Sequence, residues 1–296
     1  MTDRPTSPPT SASDVPIEGL SAFHSLFEGS TERLIPLPAR LDAIYGPLRF
    51  PTRPVKPHVF ANFVSSLDGV VALNAGGVNG GGEISGGNRH DRFLMGLLRG
   101  LADVVVVGSG TLRGSPRHLW TPGSVAPSFA SAFAELRSSR GLTPLPGVAI
   151  VSASGDLDLD LPVFRSALNL TLVLTTLSGQ RRLLRIGVPV SVNVRSLGVG
   201  PTLSARSILD AIVEETGATT ILTEGGPRLL ASLLGERVLD ELFLTLAPQV
   251  AGRDPKDPRP GFAEGKLFAP VAPVWATLVG VKRAEDFLFL RYSFET

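Results

Sequence analysis

Short apolar runs alternate with amphipathic helical patterns along most of this 296-residue chain. His58 to Val64 reads as a strand, which Ser65-Ser66-Leu67-Asp68-Gly69 brings to an end. Asn88 to Leu101 reads as a helix, with Asn88 as its N-cap and Phe93, Leu94, Leu97, Leu98 and Leu101 as its buried stripe. The β-branched run Asp103-Val104-Val105-Val106-Val107-Gly108 predicts a strand covered on both faces, as in a parallel sheet. Phe129 to Arg140 predicts a helix ended by Gly141. Val148 to Val151 and Leu170 to Thr175 are further strands, Gln180 to Ile186 a short helix and Val188 to Val194 a strand. Ser204 to Thr216 carries Ile208, Leu209, Ile212 and Val213 on one helical face, with Gly217 as the C-cap. Thr219 to Thr223 is a short strand that runs through Glu224 into Gly225-Gly226-Pro227 and a helix buried by Leu229, Leu230, Leu233 and Leu234. Leu239 to Val250 predicts a long strand, and Trp275 to Val281 with Phe287 to Phe294 a terminal antiparallel hairpin. The alternation predicts the α/β class, with a mostly parallel sheet, an antiparallel edge and no internal repeat.

The first 55 residues read differently. Residues 1–16 are rich in Pro, Ser and Thr and predict a flexible tail. Leu20, Phe23, Leu26 and Phe27 fall at helical spacing, and Leu34 to Ile44 repeats it weakly, so 17–55 is expected to be an arm of short helices. Pro51-Thr52-Arg53-Pro54 and Lys56-Pro57 make a rigid connector to a body over 56–296. Inside that body, Gly76-Gly77-Val78-Asn79-Gly80-Gly81-Gly82 reads as a functional loop or as an exposed hairpin tip.

Composition narrows the chemistry. Hydrophobic residues make up 43% and charged residues 19%, enough for a sizeable core. A net charge of +1 gives no general attraction to nucleic acid or to anionic membranes. Cysteine is absent, which excludes disulfides, thiolate metal sites and a cysteine nucleophile. The N-terminus has no apolar signal region, and no apolar run approaches the ~20 residues of a membrane span, so a cytoplasmic protein is expected. Histidines 24, 58, 90 and 118 are scattered, so no metal site is expected. Neither G-x-S-x-G nor a Walker lysine nor G-x-G-x-x-G is matched.

What remains is a set of small-residue turns at strand ends. Gly225 and Gly226 remove side chains where a ligand can approach the backbone, and Pro227 suits a first helical turn whose free N–H groups suit an anion. Many such turns bind nothing, and both readings stand. Ser109-Gly110-Thr111 is a second turn of this kind, whose hydroxyls bind a cofactor or cap a helix. Arg92 and Arg99 share one helix flank, about 10 Å apart along the axis, either solvated or clamping a phosphate.

Four motifs in order resemble a known family. They are Ser66-Leu67-Asp68-Gly69; Leu98-Arg99 with Ala102-Asp103-Val104 and Val106-Val107-Gly108-x-Gly110-Thr111; Glu224-Gly225-Gly226-Pro227-x-Leu229; and Leu239-Asp240-Glu241-Leu242-x-Leu244 with Ala247-Pro248. Over roughly residues 56–296 the chain resembles the RibD C-terminal reductases of riboflavin biosynthesis. The resemblance implies a dihydrofolate-reductase-like fold, NADPH as cofactor and a homodimer. It implies reduction of a ribosylated aminopyrimidine 5′-phosphate to the ribityl compound. It also implies that Gly108, Gly110, Thr111, Ser154, Gly225, Gly226, Pro227, Arg228 and Leu229 line the cofactor. Arg99 would then bind the substrate phosphate and Glu224 its sugar, with Asn62 beside them and Glu224 and Asp68 in catalysis. The chain departs from the family where Asn62 replaces a common lysine, where Gly114-Ser115-Pro116 replaces D-D-P, and where Glu83-Ile84-Ser85 replaces W-I-[ST]. A reductase of another heterocycle such as a dihydropterin or dihydrofolate, or a non-catalytic nucleotide-binding relative, are the alternatives. The apolar run Leu242-Phe243-Leu244-Thr245-Leu246 is the expected dimer contact, or an ordinary central strand.

Overall fold

The computed structural model describes residues 19–52, 54–73, 81–166 and 169–296. The expected tail over 1–16 and most of the glycine loop fall outside these residues. β1 (His24–Glu28), β2 (Leu34–Ile35), α1 (Ala39–Tyr45) and β3 (Leu48–Arg49) come first. β4 (His58–Ser65), α2 (Gly82–Ser85), α3 (Arg89–Leu101), β5 (Val104–Gly108), α4 (Ser109–Gly114), α5 (Pro122–Val125) and α6 (Ala130–Ser139) follow. Next are β6 (Gly147–Val151), α7 (Pro162–Arg165), β7 (Thr171–Thr175), α8 (Leu177–Ile186) and β8 (Val192–Ser196). The chain ends with α9 (Ala205–Thr216), β9 (Thr220–Thr223), α10 (Pro227–Gly235), β10 (Glu241–Leu246), β11 (Thr277–Ala284) and β12 (Phe287–Ser293).

Ten strands form one sheet in the order β1-β11-β12-β10-β4-β9-β5-β6-β7-β8. From β10 to β8 the neighbours are parallel, and β12, β11 and β1 complete an antiparallel flank. This is the expected mixed α/β fold with its C-terminal hairpin. Alternation along β5 explains the two layers. Val105 and Val107 enter a core with α3 and α6, and Val104 and Val106 enter a second core with α9 and α10. Each fully buried Val or Leu contributes roughly 1.5–3 kcal/mol. Asn88 caps α3 through Asp91 N, Ser204 caps α9 through Ser207 N, and Gly217 closes α9 with φ 67°.

β9 is inserted between β4 and β5, with Thr223 in register with Ala61 and Val106. Strand order therefore reverses beside β9, and the crevice at its carboxyl end is where open α/β sheets take ligands. No helix among the described residues is long and apolar enough to cross a membrane.

Several expectations are corrected. The helical pattern over Leu20 to Phe27 is instead strand β1, whose residues are all exposed. The free edge of β11 supplies a ladder that local spacing cannot reveal, and buried Phe23 with partly buried Leu20 anchors the segment. Leu34 and Ile35 pair with β3, and α1 begins only after Pro36 and Pro38. The arm is thus a strand-and-helix segment rather than a helical one, with β1 on the edge of the main sheet and β2 and β3 in a two-stranded sheet of their own. β8 starts four residues later than expected, past Pro189 and an exposed Val190. β10 stops at Leu246, two residues before Pro248. It lies between β4 and β12, with Leu242 and Phe243 in opposite cores, so its apolar faces are covered within the chain and give no reason for a dimer contact there.

Candidate active site

Glu224 follows the last residue of β9, and its amide donates to Val106 O at 2.9 Å. Its carboxylate meets Arg99 from the last turn of α3. Arg99 Nε donates to Oε1 at 2.9 Å, Nη2 to Oε2 at 2.6 Å, and Nη1 to Thr121 O at 3.3 Å. The side chains are 1% and 8% exposed for Arg99 and Glu224. A carboxylate this buried needs a paired cation, and the guanidinium fork supplies it in two parallel bonds. In this structure Arg99 turns to Glu224 and Thr121 O. Arg92 is also buried and donates Nε to Val125 O at 2.9 Å. His118 stands edge-on to Trp120. Burial first, then the charges of Arg99 and Arg92, lower its pKa to about 4, so it is neutral beside the pair at pH 7.

The two glycine turns face each other next to Glu224. A Cβ on Gly226 would find only Thr111 Oγ1, at 3.6 Å, and one on Gly108 would approach Gly226 N at 3.8 Å. Nothing lies within 4 Å of one on Gly110. Gly226 has extended backbone (φ −67°, ψ 174°), so its lack of a side chain is not forced by strain. Gly108, Gly110, Thr111 and Gly226 form an open ledge leading to the N-terminus of α10, where Pro227 occupies the first turn and no side chain caps the helix. Arg228 is exposed beside it. A Cβ on Gly225 would strike Leu229 Cδ2 at 2.5 Å, and Leu229 packs on the α9–α10 core. The close packing of α10 on its own turn explains that glycine.

Farther along the strand ends, Ser154 is exposed and its Oγ accepts from Asp156 N at 3.2 Å. Ser152 is 2% exposed and its hydroxyl has no partner. The sequence placed both serines after β6, but nothing in the pattern told which one would be buried.

Asp68 does not reach the crevice as a free acid. Its carboxylate accepts from Ser66 Oγ at 2.6 Å, Ala251 N at 3.0 Å and Gly252 N at 2.8 Å. These bonds, the one from Ser66 first and that from Ala251 next, hold its pKa well below the usual carboxylate range. Asp68 is a clasp between the turn after β4 and the segment after β10.

Asn62 lies on β4 in register with Phe243, one residue beyond the Ala61–Thr223 pair. It is 8% exposed and its amide oxygen has no partner. A residue that sequence reasoning passed over is Asp91. It sits in the first turn of α3, where an acid reads simply as a complement to the helix dipole. Its carboxyl is buried against Thr245 of β10 and Ser85 of α2. Burial pushes its pKa up to about 6; the two hydroxyls pull it back, and the charge of Glu224 raises it again.

Similarity to known proteins covers most of the chain. The family model described as the RibD C-terminal domain matches residues 57–265. A 2,5-diamino-6-ribosylamino-4(3H)-pyrimidinone 5′-phosphate reductase of Archaeoglobus fulgidus is 22% identical over 218 residues, spanning 72% of this chain and 89% of the relative. The crystal structure of a pyrimidine reductase-like protein from Corynebacterium diphtheriae matches with a TM-score of 0.63 and 23% identity, over 86% of this chain and 98% of that one. The riboflavin biosynthesis reductase of Saccharomyces cerevisiae matches with a TM-score of 0.54 and 14% identity, over 83% and 93%.

Proposed function

Since the chain belongs to the RibD C-terminal domain family, we propose that it is an NADPH-dependent reductase of a ribosylaminopyrimidine 5′-phosphate, acting in riboflavin biosynthesis. The observation that carries this reading is the Arg99-locked Glu224 beside a ledge without side chains at the ends of β9 and β5. NADPH fits there: a Cβ would fill the very space that its diphosphate needs, and the uncapped start of α10 offers N–H groups to an anion. When bound, NADPH would supply a hydride for the sugar carbon attached to the amino nitrogen that the pyrimidine carries.

The protein's part is binding and charge. Gly226 lets the backbone approach, Thr111 adds a hydroxyl, and Ser152 or Ser154 adds another farther along the strand ends. Glu224 cannot swing, because Arg99 holds both its oxygens. It is placed to accept a ribose hydroxyl and to stabilise positive charge at the carbon that takes the hydride, in a site of low dielectric. Asn62 offers an amide where a lysine would offer a cation. The resemblance also supports a homodimer and a cytoplasmic location; light scattering should give twice the 31.2 kDa chain mass.

The test is NADPH oxidation by the purified chain, followed by absorbance with ribosylaminopyrimidine 5′-phosphate, and product identification by mass. Gain of two hydrogens on the sugar is expected. Absence of turnover with that substrate, together with efficient reduction of dihydrofolate, would replace this reading.

A further inference from the structure

A hollow lies where the end of α1 covers the antiparallel flank of the sheet, with Tyr45, Phe27, Glu28, Gly280, Lys282 and Arg291 in its lining. None of these residues belongs to the Glu224 crevice. Strand pairing puts the charged groups on one face. Glu28 of β1 and Arg291 of β12 are both level with Gly280 of β11, and Lys282 is two residues farther along β11. Side chains two residues apart in a strand share a face, so Lys282 stands beside the gap that Gly280 leaves. A Cβ on Gly280 would sit 3.5 Å from Arg291 Cβ and 4.0 Å from Phe27 O, both ordinary contacts. Packing therefore does not demand the glycine, and its missing side chain keeps the hollow open.

Lys282 is 7% exposed, and its Nζ lies 4.6 Å from the centre of the Tyr45 ring. The ring face attracts the ammonium on one side but gives its three N–H donors no lone pair. Among the described residues no carboxylate, carbonyl or hydroxyl bonds to it. Arg291 is in the opposite condition, with Nε and Nη2 on Glu241 and Nη1 on Arg49 O. A buried ammonium without a bonded anion is costly, and an anion in the hollow relieves that cost.

Size and charge choose the anion. The central space of the hollow is about 20 Å³, and a single water takes about 10–15 Å³ measured in the same way. A planar carboxylate head fits, and Phe27, 46% exposed, offers a short tail an apolar wall. Glu28 also lines the hollow with a like charge, so a tetrahedral, doubly charged phosphate is the poorer match.

We propose that the hollow between α1 and the β1-β11-β12 flank is a binding site for a short monocarboxylate, with Lys282 as its cation. The site shares no residue with the crevice and does not depend on the reductase reading.

The full-length chain is titrated calorimetrically with propionate at pH 7, in a buffer free of other carboxylates, and with inorganic phosphate in parallel. Propionate should bind with a Kd on the order of 1 mM, and phosphate at least tenfold more weakly. Lys282→Met should weaken propionate binding at least tenfold, and Gly280→Val, which fills the hollow, should do the same. Glu28→Gln should tighten it severalfold, because a like charge is removed. No saturable propionate binding by the wild-type chain overturns the proposal. So does binding that Lys282→Met leaves unchanged, or phosphate binding as tight as that of propionate. Should Lys282→Met fail to fold, Glu28→Gln decides, since it alters only an exposed strand residue. Tighter binding in that variant supports the site, and unchanged or weaker binding refutes it.

Discussion

Two buried arginine–glutamate pairs lie on the same sheet, at opposite ends of its parallel strands. Glu241 opens β10 and is held by Arg291 of β12 through Nη2 at 2.8 and 2.7 Å and Nε at 3.1 Å. Glu224 follows β9 and is held by Arg99 with the same two-toothed geometry. Burial does not separate them, since all four side chains are at most 8% exposed. Surroundings do. Arg291 lies over the Phe243 ring at 4.9 Å and donates Nη1 to Arg49 O, and His58 closes the far side of Glu241 at 3.6 Å. Glu224 opens on glycine turns, an orphaned amide and a buried acid. A buried ion pair is therefore poor evidence of a functional site. Its place at the carboxyl ends of the strands, beside turns without side chains, carries the inference.

The largest expected effect is shared by both ends. Arg99→Ala and Arg291→Ala should each lose about 3–5 kcal/mol in urea denaturation, because each strands a buried carboxylate. A cost under about 1 kcal/mol for either would show that its glutamate is solvated. Matched Glu→Gln variants then separate the ends. Glu224→Gln should lower kcat/KM about 10²–10³-fold, whereas Glu241→Gln should stay within about threefold at a temperature where both are folded. Equal losses would erase the distinction between the pairs.

Acid titration sharpens it with opposite signs. At Glu241 burial pushes the pKa up, but the nearby His58 and the Arg291 charge outweigh it and hold it low. That group stabilises the fold above its unfolded pKa, and the contribution is lost as pH falls through the lower folded value. At Asp91 the folded value is raised to about 6. Its destabilising effect is therefore absent below the unfolded pKa of about 4 and complete above 6, roughly 3 kcal/mol in all. Unfolding free energies measured from pH 4 to 7 should show a falling contribution that Asp91→Asn removes; an identical slope in that variant would contradict the assignment. The smallest effect concerns backbone approach. Gly226→Val should weaken NADPH binding at least tenfold, about 1.4 kcal/mol, with little change in stability. Gly147→Ala at the amino end of β6, whose new methyl would meet Val104 Cγ2 at an ordinary 3.4 Å, should leave NADPH binding unchanged.

The layered sheet was legible because local signals agreed with the global fold: β-branched runs for β5 and β9, caps at Asn88 and Ser204, breaks at Gly217 and Gly226. Glu224 and Gly226 were legible too, from their place at a strand-to-helix turn. Direction was not. The sequence could pair Arg99 with a phosphate as easily as with Glu224, because which way a guanidinium turns depends on residues more than a hundred positions away. The bonds of Asp68 were hidden for the same reason, its partners Ala251 and Gly252 lying beyond any local window. Strand β1 was hidden because an exposed edge strand needs a neighbour and no pattern of its own.

That edge strand sets limits on cutting and joining the gene. The family match begins at residue 57, and a chain begun there would seem to keep the whole catalytic body. It would strip β1 from β11 and leave a long unpaired ladder from Gly280 to Arg283. It would also remove Phe23, whose ring meets Tyr45, His90, Phe93 and Phe289, and so bare one flank of α3 beside Asp91. Fusions and tags are better placed ahead of residue 19 than at the boundary that homology suggests.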